Sequence, residues 1–186
     1  MFSLPGTPTL YYGEEIGMGE DLEAPGRMAV RTPMQWSAGR NGGFSTATPG
    51  RLVQRVVPGA YGPEHVNVAA QLHDPESLWS LMRKLISIRR SCPELGWGTW
   101  SVMEQPQRQV LVHRCDLDGS AVVTVHNLGP EPVTVDVPVD PEGHGLEATD
   151  LMSDDPVSGE GSVSLALDGY GFRWLRVRPA GDLAIP

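Results

Sequence analysis

Four segments in the second half of the chain alternate apolar and polar residues, and this alternation restricts the fold more than any other feature. The segments are 110–116 (VLVHRCD), 120–128 (SAVVTVHNL), 131–139 (EPVTVDVPV) and 162–179 (SVSLALDGYGFRWLRVRP). A period of two is that of a β-strand with two different faces. Turn dipeptides lie between the segments, and the Asp-Gly pair at 168–169 predicts a hairpin within the last one. The pattern predicts an all-β antiparallel sandwich.

The segment before these strands has the period of a helix. Apolar residues recur at steps of three and four and define one face: Leu78, Leu81, Met82, Leu85 and Ile88. Asp74 is a suitable N-cap and Pro75 suits the first helical position, while the run ends near Ser91. We therefore predict a helix over residues 74–91.

The first residues contain a short apolar run, and a long irregular segment follows it. Residues 9–12 (TLYY) predict a strand that is buried on both faces, as in a parallel sheet. Residues 13–73 are rich in glycine and proline and show no sustained period; such long loops are usually functional. The change of period near residues 95–97 predicts two domains, 1–95 and 96–186.

Composition excludes several classes of function. The net charge of −9 argues against a nucleic-acid partner, because phosphate binding needs clustered cations. No apolar run approaches the ~20 residues of a membrane span, and the chain begins without a signal-peptide pattern. Cys92 and Cys115 predict two buried free thiols in a cytoplasmic protein, with a single disulfide as the alternative. The five histidines lack metal-ligand spacing and no nucleotide-binding loop is present, so we expect no metal and no cofactor.

Two short stretches carry groups that could act on a ligand. Glu14 and Glu15 follow the predicted strand, where a carboxylate can serve as acid or base. The favoured interpretation is structural, with one carboxylate accepting backbone hydrogen bonds. In RTPMQW, Arg31 lies close to an amide and an indole, a mixture that suits either sugar hydroxyls or a packed loop.

Four motifs together resemble glycoside hydrolase family 13, the alpha-amylase family. They are PGTPTLYYGEEIGM, VRTPMQWS, RNGGFS and YGPEHVNVAAQLHDPESLWSLMRKLISIRR, and their order and spacing are similar to the C-terminal portion of that family. The most similar branch holds trehalose synthases, oligo-1,6-glucosidases and related α-glucosidases. Within it we favour a trehalose synthase-like function, with the two glucosidase activities as alternatives.

The resemblance implies a fold and the location of the family's catalytic residues. It implies a partial (β/α)8 barrel, with residues 9–12 as the last strand, a long loop and the last helix, followed by the sandwich domain. The family's Asp nucleophile, Glu acid/base and assisting Asp lie on earlier barrel strands, so the resemblance implies no catalytic residue in this sequence. We therefore expect these 186 residues alone to be inactive.

The resemblance also implies roles for individual residues. Arg31 matches the arginine that holds the terminal glucose of the substrate. Two residues match positions that shape the strand end, and three others are expected to shape the rim and position the arginine: Tyr12 and Glu15, then Met34, Gln35 and Trp36. Residues 26–31 (GRMAVR) depart from the family pattern, which often has acidic groups there.

The expected partner is an α-glucoside or malto-oligosaccharide, bound only in a complete barrel, and a separate N-terminal barrel fragment could complement the chain. A non-catalytic binding module is the remaining alternative. It requires an exposed row of aromatics on the sandwich, for which the candidates are Trp97, Trp100 and Trp174. We expect these three side chains to be packed instead.

Overall fold

The computed structural model describes residues 1–140, 142–159 and 161–181. These residues form two units, one of residues 1–8 and 87–181 and the other of residues 9–86. Residues 182–186, the end of the predicted second domain, lie outside the described residues. None of the helices in the described ranges has the length and apolar character required to cross a membrane.

Eight strands build most of the first unit. In chain order they are β1 Thr99–Met103, β2 Val110–Leu117, β3 Ser120–Asn127, β4 Val133–Pro138, β5 Leu146–Asp150, β6 Pro156–Val157, β7 Ser162–Leu167 and β8 Phe172–Pro179. They form a six-stranded sheet of order β1-β2-β3-β8-β5-β6 and a two-stranded sheet of order β4-β7. Every pairing is antiparallel, as the alternating sequence predicts.

The core of this unit lies between the two sheets. Val123 pairs with Leu175 in the larger sheet, and both side chains are buried against Val135 and Leu165 of the smaller one. Every second residue of β7 is buried, so one face points into the core and the other to solvent. The predicted sandwich is confirmed.

The sandwich differs from the prediction in the partners of its last strands. β7 and β8 are not a hairpin, because β7 pairs with β4 whereas β8 pairs with β3 and β5. The turn at 168–171 therefore carries the chain from one sheet to the other. Three strands, β1, β5 and β6, lie outside the predicted segments.

The three candidate tryptophans do not form an exposed row. Trp174 is buried, with 2% of its surface exposed, whereas Trp97 is 84% exposed and Trp100 55% exposed. The prediction of packing is thus confirmed for Trp174 and wrong for the other two within the described residues. Trp97 ends the short helix α3 (Glu94–Trp97) and Trp100 lies on the edge strand β1, where few neighbours can cover a side chain.

The other unit, residues 9–86, is built from turns and helices. It contains five 3₁₀ turns, the short helix α1 (Val68–Gln71) and most of helix α2 (Leu78–Arg90). The strand predicted over residues 9–12 is wrong for this structure, since those residues are not in a strand and Leu10, Tyr11 and Tyr12 are exposed. A strand is held by hydrogen bonds to a neighbouring strand, and residues 9–86 contain none to pair with.

Helix α2 begins later than predicted. The Ser77 hydroxyl accepts a hydrogen bond from Ser80 N (3.2 Å), and Ser77 O accepts the first helical bond from Leu81 N (3.0 Å). Ser77 therefore caps the helix. Asp74, the predicted cap, instead accepts from Glu76 N in a preceding turn (2.9 Å). The predicted end near Ser91 is confirmed.

Candidate functional site

Glu14 and Glu15 fold back on the chain that precedes them. Glu15 Oε2 accepts a hydrogen bond from Gly13 N (2.7 Å), and Glu14 Oε2 accepts one from Tyr11 N (3.1 Å). Gly13 has φ of 94°, which favours glycine, so the turn is set by the backbone and then braced by both carboxylates. Both carboxylates thus accept backbone hydrogen bonds, as the structural interpretation expects of one of them.

Arg31 lies at the end of a 3₁₀ turn, Gly26–Val30, and its backbone is held on both sides. Arg31 N donates to Met28 O (3.2 Å), and the Tyr12 hydroxyl donates to Thr32 O (2.8 Å). Partial burial raises the pKa of Tyr12, so its phenol is a neutral donor near pH 7. The Arg31 side chain itself is exposed.

Gln35 fixes the segment that follows Arg31. Its side chain is fully buried, and Nε2 donates to Tyr61 O (3.0 Å) and to Val66 O (2.6 Å). The backbone carbonyl of Gln35 also accepts from Val68 N of α1 (2.9 Å). Gln35 therefore joins the arginine segment to residues that follow it by about thirty positions.

The glycine turn in RNGGFS holds Trp36. Both Trp36 N and Ser37 N donate to Gly42 O, at 2.7 and 3.0 Å. Gly42 has φ of 66°, and a Cβ there would lie 3.3 Å from the Gln35 Cα. A side chain at this position would both strain the backbone and displace Gln35.

These elements enclose an open cavity of about 740 Å³. Five of the six predicted site residues line it: Tyr12, Glu15, Arg31, Met34 and Trp36. The sixth, Gln35, lies behind the lining and supports it. Residues 51–54 also line the cavity as a continuous stretch, called here the second wall; they carry no recognisable motif, and no signal in the sequence indicates them.

The chemistry of the cavity suits binding of a sugar. The Arg31 guanidinium supplies donors, and the exposed Trp36 indole supplies an apolar face. Glu15 is the single carboxylate among the lining residues, and it already accepts a backbone hydrogen bond. Two opposed carboxyl groups, which a retaining glycosidase requires, are not present in this lining. Among the described residues, no group of His, Cys, Asp and Glu is placed to hold a metal ion.

Two protein-family models match the chain. Residues 1–98, more than half of its length, match the catalytic domain of alpha-amylase. Residues 119–176, within the sandwich, match the C-terminal domain of sucrose hydrolase-like proteins.

Curated relatives are similar over nearly the whole chain. A trehalose synthase of Pimelobacter sp. (strain R48) is 39% identical, covering 95% of this chain and 32% of the relative. The trehalose synthase/amylase TreS of Mycobacterium tuberculosis (strain ATCC 25618 / H37Rv) is 36% identical, covering 95% of this chain and 30% of the relative. The chain thus spans about a third of the length of these relatives.

A solved structure agrees at the level of the fold. The trehalose-6-phosphate hydrolase TreA of Bacillus licheniformis matches with a TM-score of 0.74 at 22% identity, covering 95% of this chain and 37% of that one. The resemblance carried by the four motifs is confirmed. The chain is trehalose synthase-like in sequence and belongs to the alpha-amylase family, glycoside hydrolase family 13.

Proposed function

We propose that residues 1–95 form the C-terminal end of a (β/α)8 catalytic barrel and that residues 96–186 are its sandwich domain. In this proposal the chain takes part in the interconversion of α-glucosides of the maltose and trehalose type. It supplies Arg31 and the surrounding rim to the substrate, while the nucleophile and proton donor come from other barrel segments. The trehalose synthase relatives named above support this choice of activity.

The cavity carries the proposal. It groups a free guanidinium with an exposed indole, but it has one carboxylate where the retaining mechanism needs two. Such a set of side chains can bind and orient a sugar but offers no double-displacement route. Arg31 is accordingly a substrate-binding residue, and Tyr12, Glu15, Met34, Gln35 and Trp36 shape its surroundings.

Exposed apolar side chains support a complementing barrel segment as the partner. Leu10 and Tyr11 are exposed, and so are Leu78 and Leu81 on the apolar face of α2. Neighbouring barrel strands would cover this surface and give residues 9–12 the hydrogen-bond partners of a strand. A cytoplasmic location is part of the proposal, because both cysteines are buried free thiols.

A chimaera tests the proposal. The matching segment of the Pimelobacter trehalose synthase, 32% of its length, is replaced by this chain, and the conversion of maltose and isomaltose is followed by product analysis. We expect trehalose as the product. Release of glucose alone from maltose would favour the α-glucosidase alternative, and release of glucose from isomaltose would favour the oligo-1,6-glucosidase alternative. We expect the 186 residues alone to leave maltose, isomaltose, trehalose and a chromogenic α-glucoside unchanged.

The Arg31 assignment has its own variant within the chimaera. Arg31→Ala removes a charged donor and is expected to raise KM for maltose by about 10- to 100-fold, the effect of losing a charged hydrogen bond. Arg40→Ala, an exposed arginine outside the cavity lining, is the control and should leave KM unchanged. Turnover by the purified chain alone, or a wild-type KM for Arg31→Ala, would contradict the proposal.

A further inference from the structure

We infer that the ion pair between Asp21 and Arg55 is a brace that joins the two walls of the Arg31 cavity and sets the position of Arg31. Both are positioning residues, since neither lines the cavity itself. The effect of the ion pair on catalysis rests on the proposed function. Its effect on the distance between the two walls can be measured without any substrate.

The pair has the geometry of a fixed clamp. Arg55 Nε lies 2.6 Å from Asp21 Oδ2, and Arg55 Nη2 lies 2.7 Å from Asp21 Oδ1. Arg55 Nη2 also lies 2.5 Å from Glu23 Oε2. Two parallel bonds between a guanidinium and a carboxylate restrict rotation as well as distance. The pair therefore fixes orientation between positions that are 34 residues apart in the chain.

Asp21 is rigidly placed on its own side of the cavity. Its side chain is buried, and the hydrogen bond from the Arg55 guanidinium lowers the pKa of its carboxyl, so the charge persists well below pH 7. Asp21 N donates to Ala29 O (2.9 Å), which closes the loop just before Arg31. The Tyr12 hydroxyl holds Thr32 O directly after Arg31. A movement of Asp21 would therefore reach Arg31 through one hydrogen bond and two peptide units.

Arg55 directly follows the second wall, residues 51–54. The backbone bonds of that wall are local, from Arg51 N to Thr48 O (2.8 Å) and from Leu52 N to Pro49 O (3.1 Å). They shape the turn but do not connect it to the Arg31 side. The Arg55 side chain makes that connection, with the buried Val57 as an anchor further along.

The two partners differ in exposure, since 49% of the Arg55 side chain is exposed but only 3% of the Asp21 side chain. Replacing Arg55 alone therefore leaves a buried carboxylate without its ion-pair partner, which lowers stability as well as removing the brace. Exchanging the two charges keeps the ion pair and separates these two effects.

Spin labels on the two walls measure the brace in the 186-residue chain. Leu22, 83% exposed, adjoins Asp21, and Val53, 99% exposed, lies on the second wall. Both are replaced by labelled cysteines, while the buried native thiols Cys92 and Cys115 stay unreactive in the folded chain. Pulsed electron resonance then gives the distribution of distances between the labels.

We expect one narrow distribution in the otherwise unchanged chain and a broad one after Arg55→Met. The charge exchange Asp21→Arg with Arg55→Asp should restore the narrow distribution, which a loss of fold could not explain. Glu23→Gln is the matched control, because its carboxylate is exposed and contacts the same guanidinium. A narrow, unshifted distribution for Arg55→Met would overturn the inference.

The same variants in the chimaera connect the brace to catalysis. Arg55→Met is expected to raise KM for maltose about tenfold with a smaller change in kcat, and the charge exchange to recover most of that loss. An inactive chimaera carrying the wild-type chain would count against the proposed function. The spin-label distances would still show whether the ion pair holds the two walls at a fixed separation. An active chimaera with unchanged KM in Arg55→Met would refute the positioning role alone.

Discussion

Gln35 shows how one buried side chain can organise an irregular loop. Its side-chain amide nitrogen donates to two backbone carbonyls, Tyr61 O and Val66 O. The segment between Arg31 and α1 lacks the hydrogen-bond ladder of a strand or the turns of a long helix. Side chain to backbone bonds take over that role, so a single residue here has more effect than it would within a sheet.

Gln35→Leu is expected to loosen this loop. The substitution keeps similar bulk but leaves two carbonyl oxygens unpaired, which costs about 1–3 kcal/mol. Hydrogen exchange should show faster exchange at the amides of Val68 and Ala69, which bond to the carbonyls of Gln35 and Trp36. Gln54→Leu, at a partly exposed position of the second wall, should leave those amides unaffected. Unchanged exchange in Gln35→Leu would contradict the role given to this residue.

At the scale of elements, strands β2, β3 and β8 carry a histidine cluster on the face opposite the sandwich core. His113 of β2 forms a hydrogen bond of 2.5 Å through Nε2 with the Thr124 hydroxyl of β3. The His126 ring stacks between those of His113 and Phe172, at 6.4 and 6.1 Å between centroids. Burial lowers the pKa of His126 to about 4, and burial also lowers that of His113. The cluster is therefore neutral at pH 7.

The sandwich should lose stability in mild acid because of this cluster. The folded-state pKa of His126 lies below its unfolded value of 6.5, so the unfolded chain binds the proton first. The stability that depends on neutral His126 is fully present above pH 6.5 and is lost as the pH falls toward 4. The free energy of unfolding measured in urea should be about 1–2 kcal/mol lower at pH 4.5 than at pH 7.5, a range that allows for the partial exposure of His126.

His126→Phe should flatten that pH dependence, because the stacked ring is kept and the titrating group is removed. His144→Gln is the control, since His144 is exposed at the surface of the same unit. An equal pH dependence in wild type and His126→Phe would show that other groups are responsible.

At the scale of the whole molecule, the two units differ in the interactions that stabilise each of them. The sandwich has a contiguous apolar core drawn from both sheets, and its backbone is hydrogen-bonded in six antiparallel strand pairings. In residues 9–86 the buried apolar side chains are few and scattered, among them Ile16, Met34 and Val57. Local stability follows buried apolar contacts and paired backbone, so it should be uneven along the chain.

Hydrogen exchange of the intact chain should therefore separate the two halves. We expect residues 97–140, 142–159 and 161–181 to unfold cooperatively with protected amides, and residues 1–73 to exchange faster than these residues. Binding of a complementing barrel segment should slow exchange in residues 9–12, where new backbone bonds would form. Uniform protection across both parts of the isolated chain would contradict this expectation.

The sequence by itself determined those features that depend on neighbours along the chain. Alternation predicted β2, β3, β4, β7 and β8, because two-residue periodicity is a property of each strand alone. The spacing of apolar residues predicted α2 to within four residues at its start. The four motifs were sufficient to indicate the family, because each is contiguous in sequence.

The tertiary structure alone decided what depends on distant partners. Strand pairing placed β7 and β8 in different sheets, which no local turn signal could reveal. The exposure of residues 9–12 follows from the lack of a strand beside them in residues 9–86, although their composition favours a strand. The pairing of Asp21 with Arg55 likewise joins segments 34 residues apart, and only folding brings their charges together.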